Sequence, residues 1–205
     1  MTPTVQTPDH YHALTTTPET GKPLLFALHG TGGDERQFFD LAQSIVPGAG
    51  VVSPRGDVSE MGAARFFRRT GEGVYDMADL ARATDKIADY VAAHKAAHPD
   101  IPVYGFGYSN GANILAAVTM ARPDLFDRVG LLHPLIPWTP DSMDLDGKRV
   151  LITGGHRDPI APLPATEALI AWYTAQGAAV TQSLHPGGHE LQQSEIAALA
   201  ELLNG

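Results

Sequence analysis

The stretch Val103 to Ile114, VYGFGYSNGANI, carries a serine between glycines at Gly107-Tyr108-Ser109-Asn110-Gly111. An apolar run precedes it and a helical pattern follows at once. A strand that turns directly into a helix forces the central residue into a strained backbone conformation. Side chains at 107 and 111 would collide there, so glycine fits both. Such a turn lifts the Ser109 hydroxyl out at the sheet edge and points the unpaired N–H groups of the helix at developing negative charge. That is the setting of a serine nucleophile. The five residues alone fit a flexible turn as well, so the partners decide.

A serine hydroxyl needs a base, and the base needs a group to orient it. On a strand–turn–helix scaffold the expected chain order is Ser, then Asp or Glu, then His. Asp158 follows the apolar run KRVLITGG, and His189 lies in the glycine-rich loop HPGGHE after the last strand pattern. Both fall just past the carboxyl ends of strands. Asp144 and Asp146 precede their strand and face the wrong end. His185 comes four residues early, and His156 precedes Asp158. Two backbone N–H groups, of Thr31 in HGTGGDE and of Asn110, are the expected oxyanion donors. His29 reads as a brace for that loop.

These residues need a frame to hold them. Apolar runs at Pro23–Gly30, Gly50–Gly56, Val103–Ser109, Arg128–Pro134, Lys148–Gly155 and Ala179–His189 alternate with helical patterns. The helical patterns cover 38–45, 75–98, 110–121, 164–177 and 190–205, with Gly177 placed as a stop. The first helix has an Asp available as its cap. Alternation of this kind predicts an α/β fold, a mainly parallel sheet with helices on both faces, whose function gathers at the carboxyl ends of its strands. Residues 1–205 read as a single domain, with 1–20 an irregular N-terminal arm that includes a short strand near Tyr11–Thr17. A long loop carrying RFFRR, 65–69, joins the second strand to the second helix.

Composition limits the classes of function. The chain has 205 residues, 43% hydrophobic and 18% charged, with a net charge of −9. No basic run is long enough to track nucleic acid. There is no cysteine, which excludes disulfides and thiolate chemistry. No apolar stretch reaches a membrane span or a signal-peptide core, so a cytoplasmic protein is expected, monomer or homodimer. Nine histidines invite a metal. HYH lies in the polar arm, and the proline and glycines of HPGGH forbid a helix that would align its rings, so neither metal nor cofactor is expected. Ser109, where other enzymes of such a scaffold carry Cys or Asp, argues against dienelactone, dehalogenase and epoxide chemistry.

HGTGGDE, SPRG, RFFRR, GYSNGANI, the Asp158-Pro159 pair and GGHE, in that order, resemble the phospholipase/carboxylesterase family of α/β-hydrolases. The resemblance runs from about Pro23 to the end and is strongest to small bacterial carboxylesterases associated with hydroquinone degradation. It implies a serine carboxylesterase using Ser109, Asp158 and His189 on small-molecule esters through an acyl-enzyme. Relatives that cleave protein thioesters or lysophospholipids tend to carry Gly-Phe-Ser-Gln-Gly, and Gly-Tyr-Ser-Asn-Gly here counts against long acyl chains. Those deacylations remain the alternative within the enzymes, and a non-catalytic small-molecule binder the alternative outside them. Only sixteen residues, His133 to Lys148, separate the fourth strand from the fifth, too few for a helical cap domain. Phe66, Phe67 and His133 are expected to line the substrate pocket. Arg65, Arg68 and Arg69 are expected near its mouth or, more simply, in solvent.

Overall fold

The computed structural model describes residues 11–205. The first half of the expected arm, 1–10, lies outside the described residues. The chain opens with β1 (Ala13–Thr15), β2 (Leu24–Leu28), α1 (Phe39–Ile45) and β3 (Gly50–Pro54). Four short strands follow: β4 (Val58–Glu60), β5 (Ala63–Arg65), β6 (Arg69–Gly71) and β7 (Val74–Tyr75). Then come α2 (Met77–Ala97), β8 (Val103–Tyr108), α3 (Asn110–Ala121), β9 (Arg128–Leu132), β10 (Arg149–Gly155), α4 (Leu163–Ala175), β11 (Ala179–His185) and α5 (Gln193–Asn204).

Seven strands form one sheet in the order β1-β3-β2-β8-β9-β10-β11. Only β1 runs antiparallel, against β3; the remaining pairings are parallel. Every residue of β2 and β3 is buried, as expected for strands covered on both faces. The pleat divides them: Leu24, Phe26 and Leu28 belong to the core cluster that includes residues of α2, α3 and α4, whereas Leu25 and Ala27 belong to the one that includes residues of α1 and α5. Helices therefore cover both faces. Asp76 caps α2 by accepting from the Asp79 N–H at 3.1 Å, and Gly177, at φ 91, ends α4 as expected.

The structure corrects two local expectations. The helical pattern through Phe38, Leu41, Ala42 and Ile45 is α1, but the Asp does not cap it: Asp34 closes a turn by accepting from the Arg36 N–H at 2.8 Å. Beside it Glu35 is fully buried on Arg55, Nε to Oε2 2.5 Å. The RFFRR loop is folded into two hairpins, β4–β5 and β6–β7. The 133–148 link contains neither helix nor strand.

The parallel order places the carboxyl ends of β2, β8, β9, β10 and β11 side by side. The loops that leave those ends carry Thr31, Ser109, His133, Asp158 and His189.

Candidate active site

Ser109 sits between β8 and α3 at φ 52, ψ −115. A non-glycine residue there costs about 1–3 kcal/mol and persists only where the surroundings enforce it. Several contacts do so. A Cβ on Gly107 would meet the Gly111 carbonyl, and one on Gly111 would meet the carbonyls of Leu28 and His29. The Ser109 N–H donates to Leu132 O at 2.9 Å. The Phe66 N–H donates to Asn110 Oδ1 at 2.8 Å and fastens the β5–β6 link to the turn.

Ser109 Oγ lies 2.9 Å from His189 Nε2. His189 Nδ1 lies 2.7 Å from Asp158 Oδ2. The Asp158 side chain is fully buried and His189 partly exposed. The other carboxylate oxygen of Asp158 accepts from the N–H groups of Ile160 and Ala161 at 2.8 and 2.9 Å. Burial pushes the Asp158 carboxyl up. The Ala161 N–H and the two histidines beside it outweigh burial, so it stays below the usual carboxylate value and ionised. Tyr108 OH donates to the His189 carbonyl at 2.6 Å, which ties the histidine loop to the residue before the serine. The structure thus brings Ser109, His189 and Asp158 together. It leaves His156, Asp144 and Asp146 exposed and outside the group.

Asn110 is the first residue of α3, where a backbone N–H has no partner within the helix. Thr31 lines the same cavity as Ser109. His29 is buried and braces the loop before Thr31. Its Nε2 accepts from the Gly56 N–H at 2.8 Å, so Nδ1 carries the proton and donates to Gly30 O at 2.7 Å. Burial pulls this imidazole down, consistent with a neutral ring.

The cavity over Ser109 measures about 280 Å³. Phe66 and Phe67 are not part of its lining. Both are wholly buried in the core, Phe66 against Tyr11 and Phe67 against Tyr75. The pocket expectation for them is corrected: both lie in the bend between β5 and β6, which sets their rings into the core. Arg65 corrects the expectation of solvated arginines. It is only 4% exposed and lines the cavity. Its Nη1 donates to Thr31 Oγ1 at 2.7 Å and its Nε to Phe67 O at 3.1 Å. Glu60 Oε2 lies 3.2 Å from that Nε. Arg69 also borders the cavity, paired with Glu60 and Glu72; Arg68 is exposed. Across the cavity, Asn113 Oδ1 accepts from the Leu135 N–H at 2.7 Å and its Nδ2 donates to Tyr75 OH at 2.8 Å. This second wall carries no motif, and only its tertiary contacts reveal it.

His133 borders the cavity from beneath, fully buried, with both ring nitrogens engaged elsewhere. Nδ1 lies 2.7 Å from Asp158 Oδ2, the same oxygen that His189 uses. Nε2 lies 3.0 Å from Glu195 Oε1. His185 Nε2 in turn lies 3.2 Å from Glu195 Oε2. Two donor sets among the described residues, His133–His185–Glu195 and His133–Asp158–His189, are close enough to surround a cation. The first does not suit one. His185 Nδ1 accepts from the Gly187 N–H at 3.1 Å, so its proton sits on Nε2, the atom a metal would need. In the second, the Nδ1 atoms of His133 and His189 already lie at hydrogen-bond distance, 2.7 Å, from Asp158 Oδ2.

No protein-family model matches the chain. MhqD of Bacillus subtilis strain 168, a hydrolase by name, is 36% identical over 185 residues, covering 89% of this chain and 92% of its own. The solved structure of Atu2452 from Agrobacterium tumefaciens, a protein of unknown function, is 52% identical with a TM-score of 0.91, covering 95% of this chain and 96% of its own. The Bacillus cereus carboxylesterase is 34% identical with a TM-score of 0.87, covering 93% and 92%.

Proposed function

The chain belongs to the phospholipase/carboxylesterase-like family of α/β-hydrolases, and from that premise we propose that it is a serine carboxylesterase acting on small esters through an acyl-enzyme. The observation that carries this reading is the unbroken path from Ser109 Oγ to His189 Nε2, 2.9 Å, and from His189 Nδ1 to Asp158, 2.7 Å.

In the first half-reaction Ser109 Oγ attacks the ester carbonyl carbon while His189 Nε2 takes the hydroxyl proton. Asp158 holds the Nδ1–H and stabilises the imidazolium that forms. The N–H groups of Thr31 and Asn110 receive the oxyanion, with the positive end of α3 behind Asn110. Collapse of the tetrahedral intermediate expels the alcohol, which takes the proton from His189. Water then enters, His189 accepts its proton, and hydroxide attacks the acyl carbonyl. The carboxylic acid leaves as Ser109 regains its proton.

The cavity of about 280 Å³, near the lower end of ligand pockets, and a 133–148 link without helix or strand favour small or surface-presented esters over long acyl chains. Ser109→Ala should lower kcat for p-nitrophenyl acetate about a million-fold and abolish labelling by a fluorophosphonate. A variant that keeps its turnover removes this reading. Specificity constants across acetyl to palmitoyl esters separate it from lysophospholipid or protein deacylation, for which they would rise with chain length. Labelled wild-type protein that turns over no ester would identify a binder instead.

A further inference from the structure

Asp158, the group proposed to orient His189, is shared. One of its oxygens, Oδ2, faces the Nδ1 atoms of two histidines, each at 2.7 Å. An acceptor placed between two ring nitrogens requires a proton on both, so His133 carries hydrogen at Nδ1. Its other nitrogen faces Glu195 Oε1 at 3.0 Å, with both side chains fully buried. That oxygen has no hydrogen-bond partner of good geometry, and His185 Nε2 also approaches this His133 nitrogen, at 3.4 Å. Glu195 Oε2 already accepts from the Gln192 N–H at 2.7 Å and faces the protonated Nε2 of His185. A buried carboxylate of this kind needs a counter-charge. Imidazole is a stronger base than carboxylate, so the bridging proton belongs to His133.

We infer that His133, an imidazolium clamped between Asp158 and Glu195, is a positioning residue of the active site that fixes the Asp158 carboxylate and offsets part of the charge His189 experiences. The serine hydrolase reading above is its premise. The set extends from Ser109 through His189, Asp158, His133 and Glu195 to His185, and draws on the ends of β8, β9, β10 and β11 and on the first turn of α5. Burial alone would pull the His133 imidazole down; the bonds to Glu195 and Asp158 outweigh it and carry it above its usual value.

The groups that face His133 from each packed element are few. Asp158 follows β10, His185 closes β11 with ring centroids 5.4 Å apart, and His189 lies beyond it at 5.1 Å. Glu195 comes from α5. Tyr108, at the end of β8, presents its ring at 5.9 Å and stays neutral, its hydroxyl pushed up to about 12, mainly by burial. Glu190 is exposed at the rim. Two anions therefore flank one cation. Removing the cation leaves the full charge of Asp158 to act on His189 and makes His189 harder to deprotonate.

The test reads that charge in two ways. Histidine ring ¹⁵N NMR of the wild-type protein should show His133 protonated on both nitrogens at pH 7.5. A neutral His133 overturns the proposal without reference to turnover, so its failure is distinct from that of the triad, which Ser109→Ala tests. The acid limb of kcat/KM for p-nitrophenyl acetate should move up by about one pH unit in both Glu195→Gln and His133→Asn. The double variant should move no further than His133→Asn alone. Folded variants with an unmoved acid limb overturn the proposal, as does a stoichiometric metal retained through dialysis. A purely structural pair would lower thermal stability without moving the limb.

Discussion

The hydroxyl of Tyr108 donates to the main-chain carbonyl of His189 at 2.6 Å, across eighty-one residues of sequence. The residue immediately before the nucleophile thus holds the loop that carries its base. The two rings also lie against each other, centroids 5.4 Å apart. Sheet order makes the bond possible: β8 and β11 are separated by β9 and β10, and their carboxyl ends open onto one rim.

Tyr108→Phe keeps the ring and removes only that bond. Loss of one hydrogen bond, about 1 kcal/mol, should lower Tm by about 2–4 °C. A histidine loop freed to drift should cost about tenfold in kcat, with little change in KM. Steady-state kinetics on a short-chain ester checks the second figure and differential scanning calorimetry the first. Unchanged kcat would mean that the Asp158 bond alone positions His189.

The turn at Ser109 makes a sterically sharp demand. Gly111→Ala puts a methyl group into the carbonyls of Leu28 and His29, which belong to the backbone and cannot swing away. Overpacking of that severity costs about 3 kcal/mol, so Tm should fall by about 6–12 °C. Activity should fall with it, because α3 can relieve the clash only by backing away from β2. Gly147→Ala is the contrast: no atom lies near its Cβ, and φ 77 alone carries the cost.

The convergence of Ser109, Asp158 and His189 was legible because parallel order is a strong constraint. Once runs of apolar residues alternate with helices, each strand's carboxyl end is known, and the residues just past those ends must meet. Phe66 and Phe67 were not legible, because residue type does not distinguish a pocket wall from a core, and they proved to sit in the bend between β5 and β6, packed against Tyr11 and Tyr75. Arg65 misled for a related reason. A guanidinium can be buried when its N–H groups find Thr31, Phe67 and Glu60, and Thr31 lies thirty-four residues away in sequence. Glu195 was hidden more completely. In sequence it is the third residue of a capping box with Gln192, a sufficient local role that gives no hint of His133 sixty-two residues away.

Arg65 makes a further test of the cavity wall. Its fork reaches Thr31 Oγ1 and Phe67 O at once; a lysine ammonium in its place cannot span both. Arg65→Lys should therefore loosen the loop that offers the Thr31 N–H. If that N–H is an oxyanion donor, kcat should fall by up to about a hundredfold, with binding of the ground-state ester changed less. Thr31→Val removes the acceptor and keeps the N–H. It should reproduce part of the loss, and equal activity in all three proteins would place the oxyanion elsewhere.

Acid should reach the buried network in a defined order. Asp158 and Glu195 are both held below the usual carboxylate range, burial being outweighed for Asp158 by the Ala161 N–H and for Glu195 by His133. A carboxyl whose folded value is depressed contributes stability that is complete above its unfolded value, about 4, and lost as pH falls through the folded value. His133 has the opposite sign: raised in the fold, it contributes fully below about 6.5 and loses that contribution as pH rises through its folded value. Urea midpoints should therefore fall as pH drops below about 4, and fall again on the alkaline side where His133 gives up its proton. Glu195→Gln removes one carboxyl and the partner that keeps His133 charged, so it should flatten both slopes. A variant whose midpoints parallel the wild type over the whole range would show that Glu195 is not ionised in the native protein, and the clamp on Asp158 would have no charge to rest on.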